Sequence, residues 1–205
     1  MIIDWSEQGT DEWYRSRMGI PTASAFGKIM TPTGKKSSQS DAYMNMLVAE
    51  WLLDKPQPNE TFGWMDHGNE TEAEARDAYE FISGNEVVPV GVVYKNAGRL
   101  VGCSPDALLT SIEKGCEIKC PAPHTHISYL LANGVPSTYI PQVQGSMYVT
   151  GYKEWDFVSY HPEFPPLIVT VKRDDDYIKK LDANLKPFIA GMIAKRKKLM
   201  RYKNG

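Results

Sequence analysis

The alternating segment at residues 116–120, Cys-Glu-Ile-Lys-Cys, constrains the fold of this 205-residue chain more than any other stretch. Successive side chains of a β-strand point to opposite faces, so Glu117 and Lys119 share one face while Ile118 and the two cysteines share the other. The apolar face predicts a strand that packs against a core. The two charged side chains are therefore expected in a cleft, where a carboxylate needs a counter-charge.

A second acid precedes this strand in Ser104-Pro105-Asp106. Mg²⁺ prefers oxygen ligands and takes one or two protein carboxylates together with waters and phosphate oxygens. Asp106 and Glu117 are the predicted ligands, and the peptide oxygen of Ile118 is a candidate third. Lys119 would lie beside the metal-bound water, where desolvation and neighbouring cations are expected to lower its pKa. This pattern predicts metal-dependent hydrolysis of a phosphodiester.

The same residues resemble the PD-(D/E)xK nuclease signature, with Pro105-Asp106 followed by Glu117-Ile118-Lys119. Their wider context is similar to the phage lambda exonuclease type of alkaline exonuclease. The segments that carry this similarity are Glu12–Gly19, Thr22–Ser24, His67–Gly84, Gly102–Asp106, Gly115–Pro121 and Pro141–Tyr148. The resemblance runs in order from about Trp13 to the C-terminal helix.

This resemblance implies an α/β fold with a restriction-endonuclease-like core, in which a mixed central sheet is flanked by helices. It also implies Mg²⁺-dependent 5′-to-3′ exonuclease action on double-stranded DNA, with release of mononucleotides and with Mn²⁺ as a substitute metal. Family members form homotrimer rings around DNA and work beside a single-strand annealing protein in phage recombination. Two other readings are a restriction-like endonuclease and a non-catalytic module that binds DNA ends.

The resemblance further assigns the terminal 5′-phosphate to Arg17, Ser24 and Ser104. Local sequence agrees in part, because Thr22 can cap a helix over 23–30 whose free N–H groups attract anions. The planar guanidinium of Arg17 suits bidentate phosphate binding. A surface arginine beside an ordinary helix cap is the alternative interpretation of this stretch.

A helix is predicted over residues 70–82, with Glu72, Ala75, Tyr79 and Ile82 on one stripe. A glutamate in line with apolar side chains requires a partner. A metal ion is one candidate partner, and Arg76, one turn further along, is the other. The resemblance places an additional active-site glutamate at position 72, which favours the metal.

The remaining candidates depend more heavily on context. Gln144 and Tyr148 match a Gln-x-x-x-Tyr element found beside many PD-(D/E)xK sites, and a core glutamine is the alternative. Met65, after Trp64, is a candidate wedge between terminal base pairs, with burial in the core as the alternative. The candidate DNA contacts are Met65, Tyr148 and, in the loop at 31–40, Lys35 and Lys36.

Composition sets wider limits on function. A hydrophobic fraction of 42% with 23% charged residues is typical of one soluble globular domain, here 1–205. A net charge of −2 argues against a protein that coats nucleic acid indiscriminately. Without a signal-peptide pattern or a long apolar run, the chain is expected in the cytoplasm of a bacterial host, away from the membrane.

The 3 cysteines are expected as free thiols. A zinc site built from cysteines 116 and 120 with His124 and His126 is disfavoured, because the spacing is unlike the common structural patterns.

Overall fold

Along the chain, helices alternate with the strands and also follow the last of them. The computed structural model describes residues 1–57 and 65–203, with side chains over 1–57 and 71–202. The α-helices of this part of the chain are α1 (Asp11–Arg17), α2 (Ser40–Leu53), α3 (Met65–Ser83), α4 (Pro123–Ala132), α5 (Ile140–Thr150) and α6 (Asp175–Lys203). A 3₁₀ segment over Ala23–Lys28 follows α1, where the sequence predicted a helix at 23–30.

The strands form a three-stranded sheet, β1-β2-β3, and a four-stranded sheet, β4-β5-β6-β7. The first sheet is antiparallel; in the second, the β5–β6 pair is parallel and both outer pairs are antiparallel. This is the mixed α/β arrangement that the resemblance predicted. The strands are β1 (Ile2–Asp4), β2 (Val92–Tyr94), β3 (Gly102–Cys103), β4 (Ala107–Leu109), β5 (Lys114–Lys119), β6 (Glu154–His161) and β7 (Phe164–Lys172).

The alternation read in the sequence is the alternation of β5. Cys116 and Ile118 are buried among apolar neighbours from α3, β4 and β6. Because β6 runs parallel to β5, the chain must cross over between them, and it does so through α4 and α5. The first turn of α5 thereby returns to the charged face of β5.

Helix α5 is held closely at its middle and at its C-terminal end. A Cβ at Gly145 would collide with the ring of Phe26, so glycine permits the helix to approach the 3₁₀ segment. At its C-terminus, Lys95 donates to the carbonyl of Tyr148 at 2.8 Å and Arg173 donates to that of Met147 at 2.6 Å. Two cations at the negative end of a helix dipole stabilise it.

Several sequence expectations need correction. Helix α3 begins at Met65 rather than at 70, and Ile82 is 52% exposed although Ala75 and Tyr79 of the predicted stripe are buried. Pro165 and Pro166 lie within β7, which is an edge strand and therefore tolerates proline. In the described part of the chain, no helix combines the length and apolar character that crossing a membrane requires.

Candidate active site

Asp106 and Glu117 face each other across the β4–β5 pair. Asp106 precedes β4, and its Oδ2 accepts a hydrogen bond from the backbone N–H of Ile118 at 2.5 Å. Both carboxylates are largely buried, with 9% of Asp106 and 2% of Glu117 exposed. The antiparallel pairing of β4 with β5 brings the two acids together, as the sequence predicted.

Two further side chains converge on one oxygen of Glu117. Lys119 forms an ion pair with Oε1 of Glu117, and the Nε2 of Gln142 donates a hydrogen bond to the same atom. The Lys119 side chain remains 28% exposed, so the ammonium lies at the edge of the buried group. Sequence reasoning missed Gln142, although Pro141 at the start of α5 places the adjacent residue in its first turn.

Glu72 approaches this group from helix α3. Its carboxylate lines the same cleft as Asp106 and forms an ion pair with Arg76 at 3.0 Å, one helical turn away. The cation partner left open by the sequence is therefore present in the chain itself. Glu72 remains within the electrostatic reach of Asp106 and Lys119.

Burial raises the pKa of all three carboxyl groups, and the charge of Asp106 adds to the rise at Glu117 and Glu72. Burial, and then the charge of Asp106, raise the pKa of Glu117 to about 8 against the opposing effect of Lys119. Burial also raises the pKa of Asp106, and burial together with Asp106 raises the pKa of Glu72. Negative charge is thus confined here at a cost that a cation would relieve.

The side chains around Lys119 raise its pKa, whereas the sequence predicted a lowered pKa. Burial acts to lower the pKa of Lys119, but the carboxylates of Glu117 and Asp106 outweigh it, so the pKa lies above its usual value. The expectation of a lowered pKa was wrong for this arrangement of protein groups. Lys119 is an ammonium that donates hydrogen bonds in this site.

The donor set fits a hard divalent cation that keeps much of its own water. Among the residues that the structure describes, no three His, Cys, Asp or Glu side chains converge as a ready cage. Asp106 and Glu117 supply two oxygen donors, which is what Mg²⁺ commonly takes from a protein. Burial raises the pKa of both carboxyl groups, so a bound cation would stabilise their charged forms.

Arg17, Ser24 and Ser104 form a second polar group beside the carboxylates. The guanidinium of Arg17 donates to Ser24 Oγ and Thr22 Oγ1, each at 3.2 Å, and stacks 4.3 Å from the ring centroid of Trp13. Trp13 Nε1 donates in turn to Ser104 Oγ at 3.2 Å. We call Arg17, Ser24 and Ser104 the anion pocket.

The anion pocket and the carboxylates share their surroundings. Burial lowers the pKa of Arg17, and Glu117 is among the charges that oppose this effect. Trp13 Nε1 also donates to the carbonyl of Gly91 at 3.2 Å, and Gly91 lines the cleft that holds Glu72 and Asp106. That cleft has a volume of about 480 Å³. A phosphate at Arg17 would lie near the acidic group.

Gln144 and Tyr148 lie away from this site, which corrects the sequence assignment. Gln144 Nε2 donates to the carbonyl of Lys172 at 2.9 Å, and its Oε1 accepts from the N–H of Asp174 at 3.0 Å. Tyr148 is buried and donates to Asp182 Oδ1 at 2.8 Å. The core-glutamine alternative is therefore the correct one.

The other candidate DNA contacts lie in different settings. Lys35 and Lys36 are exposed, in a loop closed by the Thr31 N–H to Lys35 carbonyl hydrogen bond at 2.8 Å. Their contact with DNA stays a prediction. Met65 begins α3, and its side chain lies outside the described residues, as does all of Trp64.

The zinc alternative finds no support in the geometry. His126 is fully buried, with Nδ1 2.7 Å from Ser159 Oγ and Nε2 3.0 Å from the carbonyl of Pro165. Both ring nitrogens therefore have partners between α4 and the β6–β7 pair. Cys116 is a buried free thiol, as the sequence predicted.

The chain is similar in sequence and structure to known proteins. Residues 12–153 match the YqaJ-like viral recombinase domain. Two crystal structures of an alkaline exonuclease (LHK-Exo) from Laribacter hongkongensis, one of them in complex with dAMP, are 31% identical, with a TM-score of 0.82 over 94% of this chain and 97% of theirs.

A phage-related exonuclease from Haemophilus somnus, 16% identical, has the same fold, with a TM-score of 0.63 over 86% of this chain and 96% of that one. A search of curated protein sequences found no significant match. The family match spans both the carboxylate group and the anion pocket. The chain belongs to the YqaJ-like viral recombinase family, with the restriction-endonuclease-like fold of the alkaline exonucleases.

Proposed function

We propose that the chain, acting as one nuclease domain, is a Mg²⁺-dependent exonuclease that degrades one strand of double-stranded DNA from its 5′ end to mononucleotides. The observation that carries this proposal is the proximity of two polar groups, one rich in carboxylates and the other built around an arginine. Asp106, Glu117 and Lys119 suit phosphodiester hydrolysis, and the anion pocket suits a terminal phosphate. An end-directed nuclease needs both groups, close together.

The anion pocket supports the choice of end. Arg17 presents a planar fork of donors, and Ser24 and Ser104 add hydroxyl groups beside it. Such donors favour a phosphate monoester, whose charge exceeds that of an internal phosphodiester. A strand carrying a 5′-phosphate would be held there with its first internal phosphate towards Asp106 and Glu117.

Asp106 and Glu117, with the Ile118 carbonyl and with Glu72 once it leaves Arg76, are the residues we assign to Mg²⁺, for which Mn²⁺ can substitute. A divalent cation there would supply an acidified water and would offset charge on the leaving oxygen. Lys119 would hold and orient the attacking water through its hydrogen bonds. Gln142 would keep the Glu117 carboxylate oriented.

A single assay tests the proposal. Linear duplex DNA labelled at its 5′ or 3′ ends is incubated with the protein, with and without Mg²⁺. We expect labelled mononucleotide to appear first from the 5′ label, and only with Mg²⁺. Lys119→Ala should abolish product, whereas Lys179→Ala, which removes an exposed lysine, should not. Full activity of Lys119→Ala would contradict the proposal.

A restriction-like endonuclease is the second candidate, because it would use the same acids and lysine. Covalently closed circular DNA separates the two, since an exonuclease leaves it intact. We further propose a homotrimer ring around DNA and a single-strand annealing protein as partner, in the cytoplasm of a bacterial host. Light scattering and co-purification with a single-strand annealing protein test these two assignments.

A further inference from the structure

Trp5 is a large aromatic side chain that the fold holds out in solvent. It is 64% exposed and lines the cleft that also contains Glu72 and Asp106. Isolated exposed apolar residues are common on protein surfaces. Trp5 differs from them because its position is fixed with respect to an acidic cleft.

The backbone on both sides of Trp5 is anchored. Before it, Asp4 pairs with Val92 in the first sheet, and the Oδ1 of Asp4 accepts from the N–H and hydroxyl of Ser6 at 3.0 and 2.6 Å. A Cβ at Gly91 would collide with the Ser6 carbonyl, so the backbone at Ser6 packs directly against this glycine. This segment cannot swing away without losing these contacts.

After it, Gln8 ties the segment to the candidate active site. Its Nε2 donates to the carbonyls of Val90 and Pro105, both at 2.8 Å. Pro105 immediately precedes Asp106, so the loop that carries Trp5 and the loop that carries Asp106 are joined by one hydrogen bond. The backbone that carries Trp5 is thereby linked to the backbone that carries Asp106.

The cleft has a polar wall and the size of a small ligand. Arg76 and Glu72 line it and form an ion pair at 3.0 Å. A volume of about 480 Å³ can hold one nucleotide. The exposed aromatic face suits a base, and the acids at the other end suit a phosphate when a divalent cation lies between them.

We propose that Trp5 stacks on the base of the 5′-terminal nucleotide while its 3′ phosphodiester lies at Asp106 and Glu117. This inference rests on the proposed function and adds a base-binding face to it. Stacking tolerates every base, because each has a π-face. The contact would therefore hold the strand end without selecting sequence.

The test compares Trp5→Ala with Trp5→Phe, and uses Phe81→Ala as a matched control because Phe81 is an 89% exposed aromatic that does not line the cleft. On normal duplex DNA, we expect kcat/KM to fall about tenfold in Trp5→Ala, within the range for loss of one stacked base. Trp5→Phe and Phe81→Ala should stay within about threefold of the wild type. On DNA whose 5′-terminal nucleotide is abasic, wild type and Trp5→Ala should be equal.

A measurement without turnover separates this inference from the proposed function. Titration with dAMP should quench the tryptophan fluorescence of the wild type more than that of Trp5→Phe, whereas deoxyribose 5-phosphate should give no such difference between the two proteins. This outcome supports stacking even if linear DNA is not degraded, in which case only the exonuclease assignment fails. Equal quenching in both proteins, or an unchanged kcat/KM of Trp5→Ala on normal DNA, would overturn the assignment of Trp5.

Discussion

Gln142 donates a hydrogen bond to the Oε1 of Glu117, the atom that also receives the ammonium of Lys119. The amide thus fixes one oxygen of a carboxylate that is 2% exposed. In the proposed metal site, a side chain that orients Glu117 in this way should affect activity more than folding.

Replacing Gln142 should therefore separate activity from stability. We expect Gln142→Ala to lower kcat by about 10- to 100-fold, because Glu117 loses its orienting partner. Gln144→Ala is the matched control, since it removes hydrogen bonds to the backbone of Lys172 and Asp174 instead. It should lower the free energy of unfolding by about 1–3 kcal/mol and leave kcat largely unchanged. Equal kcat losses in the two variants would contradict the placement of Gln142.

The sequence pattern predicted Gln144 at the candidate site, whereas the structure places Gln142 there. Residues two apart on an α-helix are separated by about 200°, so Gln144 lies on the face of α5 opposite to Gln142. The face depends on how α5 returns after the crossover, which involves contacts distant in sequence. The strand period of two around Glu117 is local, and it correctly predicted that Glu117 and Lys119 share a face.

The anion pocket should make the enzyme sensitive to the chemistry of the DNA end. We expect Arg17→Ala to lower kcat/KM on 5′-phosphorylated duplexes by roughly 10- to 150-fold, the equivalent of about 1.5–3 kcal/mol for hydrogen bonds to a charged group. On 5′-hydroxyl ends the change should be below about threefold, since no phosphate monoester is bound there. End-labelled substrates that differ only in this group give the comparison.

Two further variants refine this result. Arg17→Lys keeps the charge but loses the planar fork, and should fall between wild type and Arg17→Ala. Arg15→Ala, an exposed change in the same helix, should behave as the wild type. An equal loss on both kinds of DNA end would show that Arg17 has no role specific to a terminal phosphate.

The pocket also shows what sequence alone could not supply. The indole of Trp13 joins Ser104 to the Arg17 helix through a hydrogen bond between residues 91 positions apart. No periodicity signals such a contact. The ion pair of Glu72 with Arg76, by contrast, spans one helical turn and was foreseeable as an alternative to metal.

The buried acids should make stability depend on pH and on divalent metal. The pKa of Glu117 is raised from 4.5 to about 8, so between these values the folded state holds a proton that the unfolded state releases. Stability of the metal-free protein should therefore fall as pH rises through this range. Mg²⁺ at about 100 times its Kd should restore about 2.7 kcal/mol.

Melting scans at pH 6 and 8.5, with EDTA or Mg²⁺, measure this effect. Glu117→Gln should lose most of both the pH dependence and the response to Mg²⁺, because it removes the titrating charge. Glu163→Gln, which changes an exposed glutamate in the turn before β7, should keep both responses. A wild-type Tm at pH 8.5 that ignores Mg²⁺ would count against a metal at Glu117.

Gly19 connects the anion pocket to two distant helices. Its N–H donates to Glu50 Oε2 at 2.9 Å, its carbonyl accepts from Arg196, and its φ is +69°. A Cβ there would lie 2.9 Å from the Arg196 guanidinium and 3.2 Å from Trp51 Cβ. We expect Gly19→Ala to cost about 1–3 kcal/mol and to weaken discrimination of 5′-phosphate ends.

Gly9→Ala is a matched control for this change, since Gly9 has φ +86° but no atom near its absent Cβ. It tests backbone strain alone and should cost about 1–2 kcal/mol with normal end discrimination. Chemical denaturation and the end-labelled assay supply the two readouts. If Gly19→Ala keeps full discrimination, the link from Gly19 to Arg17 is not functional.

Asp156 is a buried acid with a structural role, and it provides a contrast to the active-site pair. It accepts hydrogen bonds from Tyr79 at 2.7 Å, Lys114 at 3.0 Å and Thr170 at 2.6 Å, which join α3 to three strands. Asp156→Ala would leave the Lys114 ammonium, whose side chain is 15% exposed, without its nearest acid. We expect a loss of about 3–5 kcal/mol in the free energy of unfolding.

The increase in Tm on adding Mg²⁺ should nevertheless persist in Asp156→Ala, because all partners of Asp156 are protein groups. Asp176→Ala, whose acid pairs with Lys179 on the surface, should cost about 1 kcal/mol or less. Denaturant titration and melting with Mg²⁺ compare the two variants with Glu117→Gln. If Asp156→Ala remained folded but lost the Mg²⁺ response, the purely structural role of Asp156 would be wrong.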